Sequence, residues 1–170
     1  MDGYLLDTQT LCYWFDATDE RFSRVNAAVD QLPSDAPLYV SAITLGEICY
    51  GHAANPNGAG PKRADFEQFI RTRLPQSLEV SHHTAEAYGK VRALLAQRFG
   101  PKEGWTKKRR AEQMTDPVTG RELGIDENDL WIVAQAIERR LVLVTADKMK
   151  RIRDTVGELY PDFQSENWGA

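Results

Sequence analysis

The sequence predicts an α/β fold, a mainly parallel β-sheet flanked by helices on both faces. Two observations carry this. Four short, mostly apolar runs, at residues 4–6, 38–40, 78–80 and 141–144, have the length and content of buried strands. Longer stretches between them repeat their apolar residues at helical spacing, which is the pattern of strands joined by crossover helices. Right-handed crossovers then restrict the topology, and ligands of such folds bind outside the carboxyl ends of the strands.

Taken in order, Tyr4-Leu5-Leu6 forms the first strand and stops at Asp7, with Thr8 positioned as a helix cap. Phe22, Val25, Val29 and Leu32 give a helix that ends at Pro33. Leu38-Tyr39-Val40 is the second strand. Ser41 or Thr44 caps a helix with the stripe Leu45, Ile48, Cys49 and His52. Pro56, Gly58, Gly60 and Pro61 mark a loop, and Phe66, Phe69, Ile70 and Leu74 another helix. Leu78-Glu79-Val80 is the third strand. Tyr88, Val91, Leu95 and Phe99 repeat the helical period. Residues 100–124 break the rhythm: the segment is polar and basic and reads as a long loop or insertion, a feature usually functional or disordered. A helix then runs from about Glu127 to Arg140 on Leu130, Val133, Ala134 and Ile137, and the fourth strand, 141–144, follows at once.

The bulk numbers frame these elements. A length of 170 residues suits one domain, and 42% hydrophobic with 27% charged residues is ordinary for a soluble protein. No run approaches the ~18 apolar residues of a membrane span. Met1-Asp2-Gly3-Tyr4 lacks the basic start of a secretory signal, so a cytoplasmic location is expected. Cys12 and Cys49 lack metal-ligand spacing and are expected to be buried thiols in a reducing compartment. A net charge of −4 argues against a nonspecific nucleic-acid coat, although bound divalent cations reverse the field around clustered acids. The one strongly cationic block holds Arg98, Lys102, Lys107, Lys108, Arg109 and Arg110.

Four acids fall where such a sheet binds ligands. Asp7 follows the first strand, and Asp147 follows the fourth. Glu47 lies in the early turns of the helix after the second strand, and Asp129 in the first turn of the helix before the fourth. A crossover helix runs antiparallel to its strands, so the order of elements directs all four to one rim. Clustered carboxylates repel and raise one another's pKa unless a cation compensates. All-oxygen ligands favour Mg²⁺ or Mn²⁺, which retains waters and takes phosphate oxygens, and two such ions would flank the attacking and leaving oxygens of a phosphoryl displacement. Each acid also has a plain structural use: Thr44-Leu45-Gly46-Glu47 fits a capping box, residues 126–129 fit a helix start, and Asp7 and Asp147 suit turns. Those uses do not predict four acids on one rim.

These residues resemble a PIN domain, specifically the VapC-type ribonuclease toxins of bacterial toxin–antitoxin pairs. Tyr4-Leu5-Leu6-Asp7-Thr8 is similar to the family's first motif, and Val40 through Glu47, continuing to Tyr50-Gly51, to the second. Asn128-Asp129-Leu130-Trp131-Ile132-Val133-Ala134 resembles the third and Leu143-Val144-Thr145-Ala146-Asp147 the fourth, with Glu166-Asn167-Trp168 like the family's ending. The resemblance spans most of the chain. It implies one PIN-like domain over 1–170, with Asp7, Glu47, Asp129 and Asp147 as Mg²⁺ or Mn²⁺ ligands and catalytic residues. It further implies Thr145 as a supporting hydroxyl, Asp126 as an auxiliary acid, endonucleolytic cleavage of RNA, a homodimer, and a small antitoxin partner. Gln9 stands where the family commonly has Asn, and residues 100–124 exceed the usual link. That segment is a candidate RNA-phosphate contact through Lys107, Lys108, Arg109 and Arg110, with Trp105 available for stacking, or else a solvated loop or antitoxin contact.

Two other functions compete. An inactive PIN-like module that binds RNA or protein is opposed by the presence of all four acids. A phospho-acceptor receiver needs an acid pair after the first strand, and Leu6-Asp7-Thr8 has none. His82 and His83, if in a strand, point to opposite faces and do not share a metal. Trp14, Trp131 and Trp168 are expected in the core or a dimer interface.

Overall fold

The computed structural model describes residues 3–55, 63–99, 110–116, 118–147 and 149–170. They form two compact units. The first comprises Met1–Glu79, Arg139–Lys148 and Gln164–Ala170, and the second Val80–Glu138 and Met149–Phe163.

The first unit holds one all-parallel sheet of five strands, β1 (Tyr4–Leu6), β2 (Leu38–Ser41), β3 (Gln76–Leu78), β4 (Val142–Val144) and β5 (Ser165–Glu166), in the order β3-β2-β1-β4-β5. β1 is central: Leu5 lies between Tyr39 of β2 and Leu143 of β4. Leu5, Leu6, Val40, Leu143 and Val144 are fully buried, and each such side chain contributes about 1.5–3 kcal/mol relative to exposure. Gly3 enters β1 at φ +133, and a Cβ there would lie 2.5 Å from the Pro37 carbonyl oxygen. Only glycine fits so close an approach.

Helices α1 (Thr8–Phe15), α2 (Phe22–Asp30), α3 (Ala42–Ala54) and α4 (Arg63–Arg73) belong to the same unit. Leu11 and Trp14 of α1, Val25 of α2 and Phe66 of α4 join Leu6, Val40, Val144 and Trp168 in its core. Asp7, not Thr8, caps α1: its extended backbone ends β1, and its Oδ1 accepts the Thr10 N–H at 2.7 Å. Of the two caps expected for α3, Ser41 serves, its Oγ accepting the Ile43 N–H at 2.9 Å. Thr44 sits inside the helix, so the capping box with Glu47 does not form. β3 falls two residues earlier than expected.

The second unit is built on α5 (His82–Phe99), α6 (Glu127–Glu138) and α7 (Lys150–Leu159). α5 packs against both others. The Tyr88 ring stacks on Trp131 with centroids 3.8 Å apart and planes 4° from parallel. α6 is held to α5 near both ends. At its start Glu127 accepts bonds from the Tyr88 hydroxyl and the Arg92 guanidinium. At its end Glu138 accepts bonds from Ser81, at 2.8 Å, and Thr84. The described part of the expected insertion is ordered into a short 3-10 helix, Ala111–Gln113, and an antiparallel bridge between Thr115 and Glu122. Asp116 organises the turn, accepting the Val118 and Thr119 N–H groups at 2.9 and 3.0 Å and pairing with Arg151 at 3.0 Å.

Two expectations are corrected, and two elements are new. Cys12 and Cys49 are exposed, because their helices turn Leu11, Trp14 and Thr44 inward instead. His82 and His83 open α5 rather than lie in a strand, and their ring centroids are 3.8 Å apart. α7 and β5 had no counterpart in the sequence pattern. Among the described residues no helix is long and apolar enough to cross a membrane.

Candidate active site

Parallel strands place the carboxyl ends of β1 and β4 on the same rim of the sheet, and the chain puts an acid just past each. The Asp7 N–H donates to the Val144 carbonyl at 3.0 Å, extending the ladder by one bond and fixing Asp7 beside the segment that leads to Asp147. Asp7 is only 4% exposed. Burial pushes its carboxyl pKa up. Hydrogen bonds from the Thr145 hydroxyl and from Thr10 oppose that shift, and the negative charge of Asp147 adds to it. Thr145 itself is buried, and its Oγ1 accepts the Asp147 N–H at 3.0 Å. One hydroxyl thus serves the Asp7 carboxylate and the Asp147 backbone.

Glu47 reaches the same neighbourhood from α3. The hydroxyl of Thr8, the first residue of α1, donates to Glu47 Oε2. Cys12, one turn further along α1, feels both Asp7 and Glu47: desolvation first, then those two charges, raise its thiol pKa, although the residue is exposed by surface area. Within the first unit Asp7 therefore lies in the field of Asp147, Asp7 and Glu47 both act on Cys12, and Thr8 ties Glu47 to the start of α1.

Asp129 lies in the first turn of α6, in the second unit, and is half-buried. Asp126 precedes that helix; its Oδ1 accepts the Asn128 N–H at 2.7 Å and its carbonyl accepts the Leu130 N–H at 3.3 Å. Both bonds are those of a residue that starts a helix. Of the cationic stretch, Lys107, Lys108 and Arg109 lie outside the described residues, as does Trp105; Arg110 is exposed at the head of the 3-10 helix. Among the described residues, no three His, Cys, Asp or Glu side chains are gathered as a metal ion requires.

The donor chemistry nevertheless suits a hard cation. Apart from the Cys12 thiol, the side-chain groups around Asp7 are carboxylate and hydroxyl oxygens, the ligand class of Mg²⁺ and Mn²⁺. Asp7 is a carboxylate whose ionised form burial disfavours, and Asp147 adds like charge; a dication offsets both effects. Sequence inspection missed Thr8 and Thr10 as site residues. The signal was present in Asp7-Thr8-Gln9-Thr10, where three side chains could each cap a helix and only one is needed to do so.

The family model described as PIN domain matches residues 4–155, most of the chain and parts of both units. Similar folds occur in the DNA-bound VapBC of Salmonella typhimurium (26% identity, TM-score 0.60, covering 99% of each chain) and in VapBC2 of Rickettsia felis bound to a promoter DNA fragment (23%, 0.64, covering 97% of this chain and 98% of that one). VapBC-1 of nontypeable Haemophilus influenzae is a third (22%, 0.64, covering 98% of each chain). No match is found among curated proteins.

Proposed function

The chain belongs to the PIN-domain family, and from that membership we propose that it is a Mg²⁺- or Mn²⁺-dependent endoribonuclease, the toxin of a toxin–antitoxin pair. The observation that carries the proposal is the buried Asp7 at the end of β1, tied through Thr145 to Asp147 at the end of β4. A helix cap alone does not require a carboxylate to be buried within the field of a second acid.

In this reading Asp7, Glu47 and Asp147 ligate the cation, and Asp129 joins them on the order of the family's motifs. When bound, the cation lowers the pKa of a water and neutralises charge on the phosphate being cleaved. The protein's part is orientation. The Thr10 amide and the Thr145 hydroxyl hold the Asp7 carboxylate in a fixed direction, and the β1–β4 ladder fixes its backbone. Asp126 sets the start of α6 and hence the backbone that carries Asp129. The similarity to VapBC structures supports a small antitoxin as this chain's partner, and a homodimer completes the assembly proposed.

RNA cleavage by the purified protein in Mg²⁺ or Mn²⁺, against EDTA and against Asp7→Asn, tests this. Cleavage is expected only in the metal-loaded wild type. Undiminished cleavage in EDTA refutes the metal dependence. Binding of RNA without cleavage across metals and substrates makes the chain a binding module.

A further inference from the structure

We propose that Thr8 is a positioning residue for Glu47, so that two threonine hydroxyls, Thr8 and Thr145, join three acids into one preorganised set. The inference rests on the metal-dependent reading above.

The argument starts from what Thr8 does not do. At the first position of α1 a threonine hydroxyl ordinarily serves the helix start. That service is already supplied by Asp7, whose carboxylate takes the Thr10 N–H at 2.7 Å. The Thr8 hydroxyl instead crosses to α3 and donates to Glu47 Oε2, a contact between residues 39 apart in sequence. Topology makes this reach available. β1 and β2 are parallel neighbours, so the helices that follow them, α1 and α3, start from the same rim and pack against each other.

The chemistry favours orientation over packing. Thr8 is half-buried and Glu47 is half-buried, so neither is locked by the core alone. A glutamate has three rotatable side-chain bonds, and a carboxylate left to sample them presents its oxygens to a cation only part of the time. The same device recurs at Asp7, where the donor is Thr145 and the Thr145 oxygen in turn accepts the Asp147 N–H at 3.0 Å. The sequence of contacts therefore runs from Asp147 through Thr145 to Asp7, and from the residue next to Asp7 to Glu47. Each hydroxyl is within two residues of one acid and bonded to another. Supporting groups of this kind typically carry 10–100-fold in metal affinity or activity.

The test compares wild type, Thr8→Val, Thr8→Ser and Asp7→Asn. Mn²⁺ binding is followed by electron paramagnetic resonance of the free ion without RNA, and the Mn²⁺ dependence of RNA cleavage is measured in parallel. Valine keeps the shape and removes the hydroxyl. Thr8→Val should weaken Mn²⁺ binding about 10–100-fold and raise the Mn²⁺ concentration for half-maximal cleavage by a similar factor. KM for RNA at saturating Mn²⁺ should not move, and Thr8→Ser should recover most of the loss. Wild-type Mn²⁺ affinity in a folded Thr8→Val protein overturns the inference while leaving the ribonuclease reading intact. Equal losses in the serine and valine variants also overturn it, since they assign the defect to the methyl group. Failure of the wild type itself to bind Mn²⁺ overturns both proposals.

Discussion

Substituting Asp7 separates two jobs that one side chain performs. Its Oδ1 caps α1 through the Thr10 N–H, and its charge sits in a site 4% exposed to solvent. Asparagine retains a cap of comparable quality and removes the charge; alanine removes both. Loss of an Asp or Asn cap typically costs about 1 kcal/mol, within a range of roughly 0.5–2. A buried donor left without a partner falls in a range of about 1–3 kcal/mol, so the alanine variant should lie about 1–2 kcal/mol below the asparagine variant. For a chain of this length each kcal/mol moves the melting midpoint by about 2–4 °C. The charge works in the opposite direction. Burial raises the Asp7 pKa in the folded state, so ionisation opposes folding. The penalty is absent well below the ordinary carboxylate pKa, grows as pH rises through it, and is complete above the folded-state pKa. In EDTA at neutral pH, Asp7→Asn should therefore melt no lower than wild type, and its advantage should shrink as the solution is acidified. Calorimetry of the three proteins in EDTA reads all of this directly. An alanine variant as stable as the asparagine variant refutes the capping argument, and an asparagine variant melting well below metal-free wild type refutes the buried-charge argument.

Further expectations follow from other contacts. Thr145→Val should reduce RNA cleavage about 10–100-fold, measured at fixed Mn²⁺, because one hydroxyl serves both Asp7 and the Asp147 backbone. Gly3→Ala should destabilise by about 1–3 kcal/mol in urea unfolding, since φ +133 and the nearby Pro37 carbonyl leave no room for a methyl. A double-mutant cycle of Tyr88→Ala and Trp131→Ala should give a coupling of about 0.5–1.5 kcal/mol for the stacked rings; additive effects would show that the stack carries no energy beyond burial.

Much of the site was legible because strand ends are legible. β1, β2 and β4 are dense apolar runs, and an acid directly after a parallel strand is placed by topology alone. β5 and α7 were not. β5 has two residues, too few for any period, and depends on pairing with Leu143 and Val144. α7 relies on Ile152 and Val156 amid charged residues, so its apolar face is too narrow to announce itself. The thiols misled for a related reason. Cys12 sits beside Leu11, Tyr13 and Trp14 in sequence, but one helical step separates the buried face from the exposed one. Capping was ambiguous between Asp7 and Thr8 because both side chains can accept an amide proton. Backbone conformation decided it, and the choice released Thr8 for Glu47. The assignment of Asp129 continues to rest on the motif around it.

The central position of β1 has a consequence for when the protein can become active. Its neighbour β4 pairs with it across 138 residues of chain, Tyr4 against Val142. Asp7 is made well before Val144 and Thr145, yet its buried setting needs both beside it. At ~5–20 residues per second, roughly 7–30 seconds of synthesis separate the two halves. A ribosome-bound chain cannot assemble the Asp7–Thr145–Asp147 arrangement during that interval. An enzyme that attacks RNA would thus be harmless to its own message until the segment carrying Thr145 and Asp147 has been made, and an antitoxin made alongside it would have that interval to accumulate.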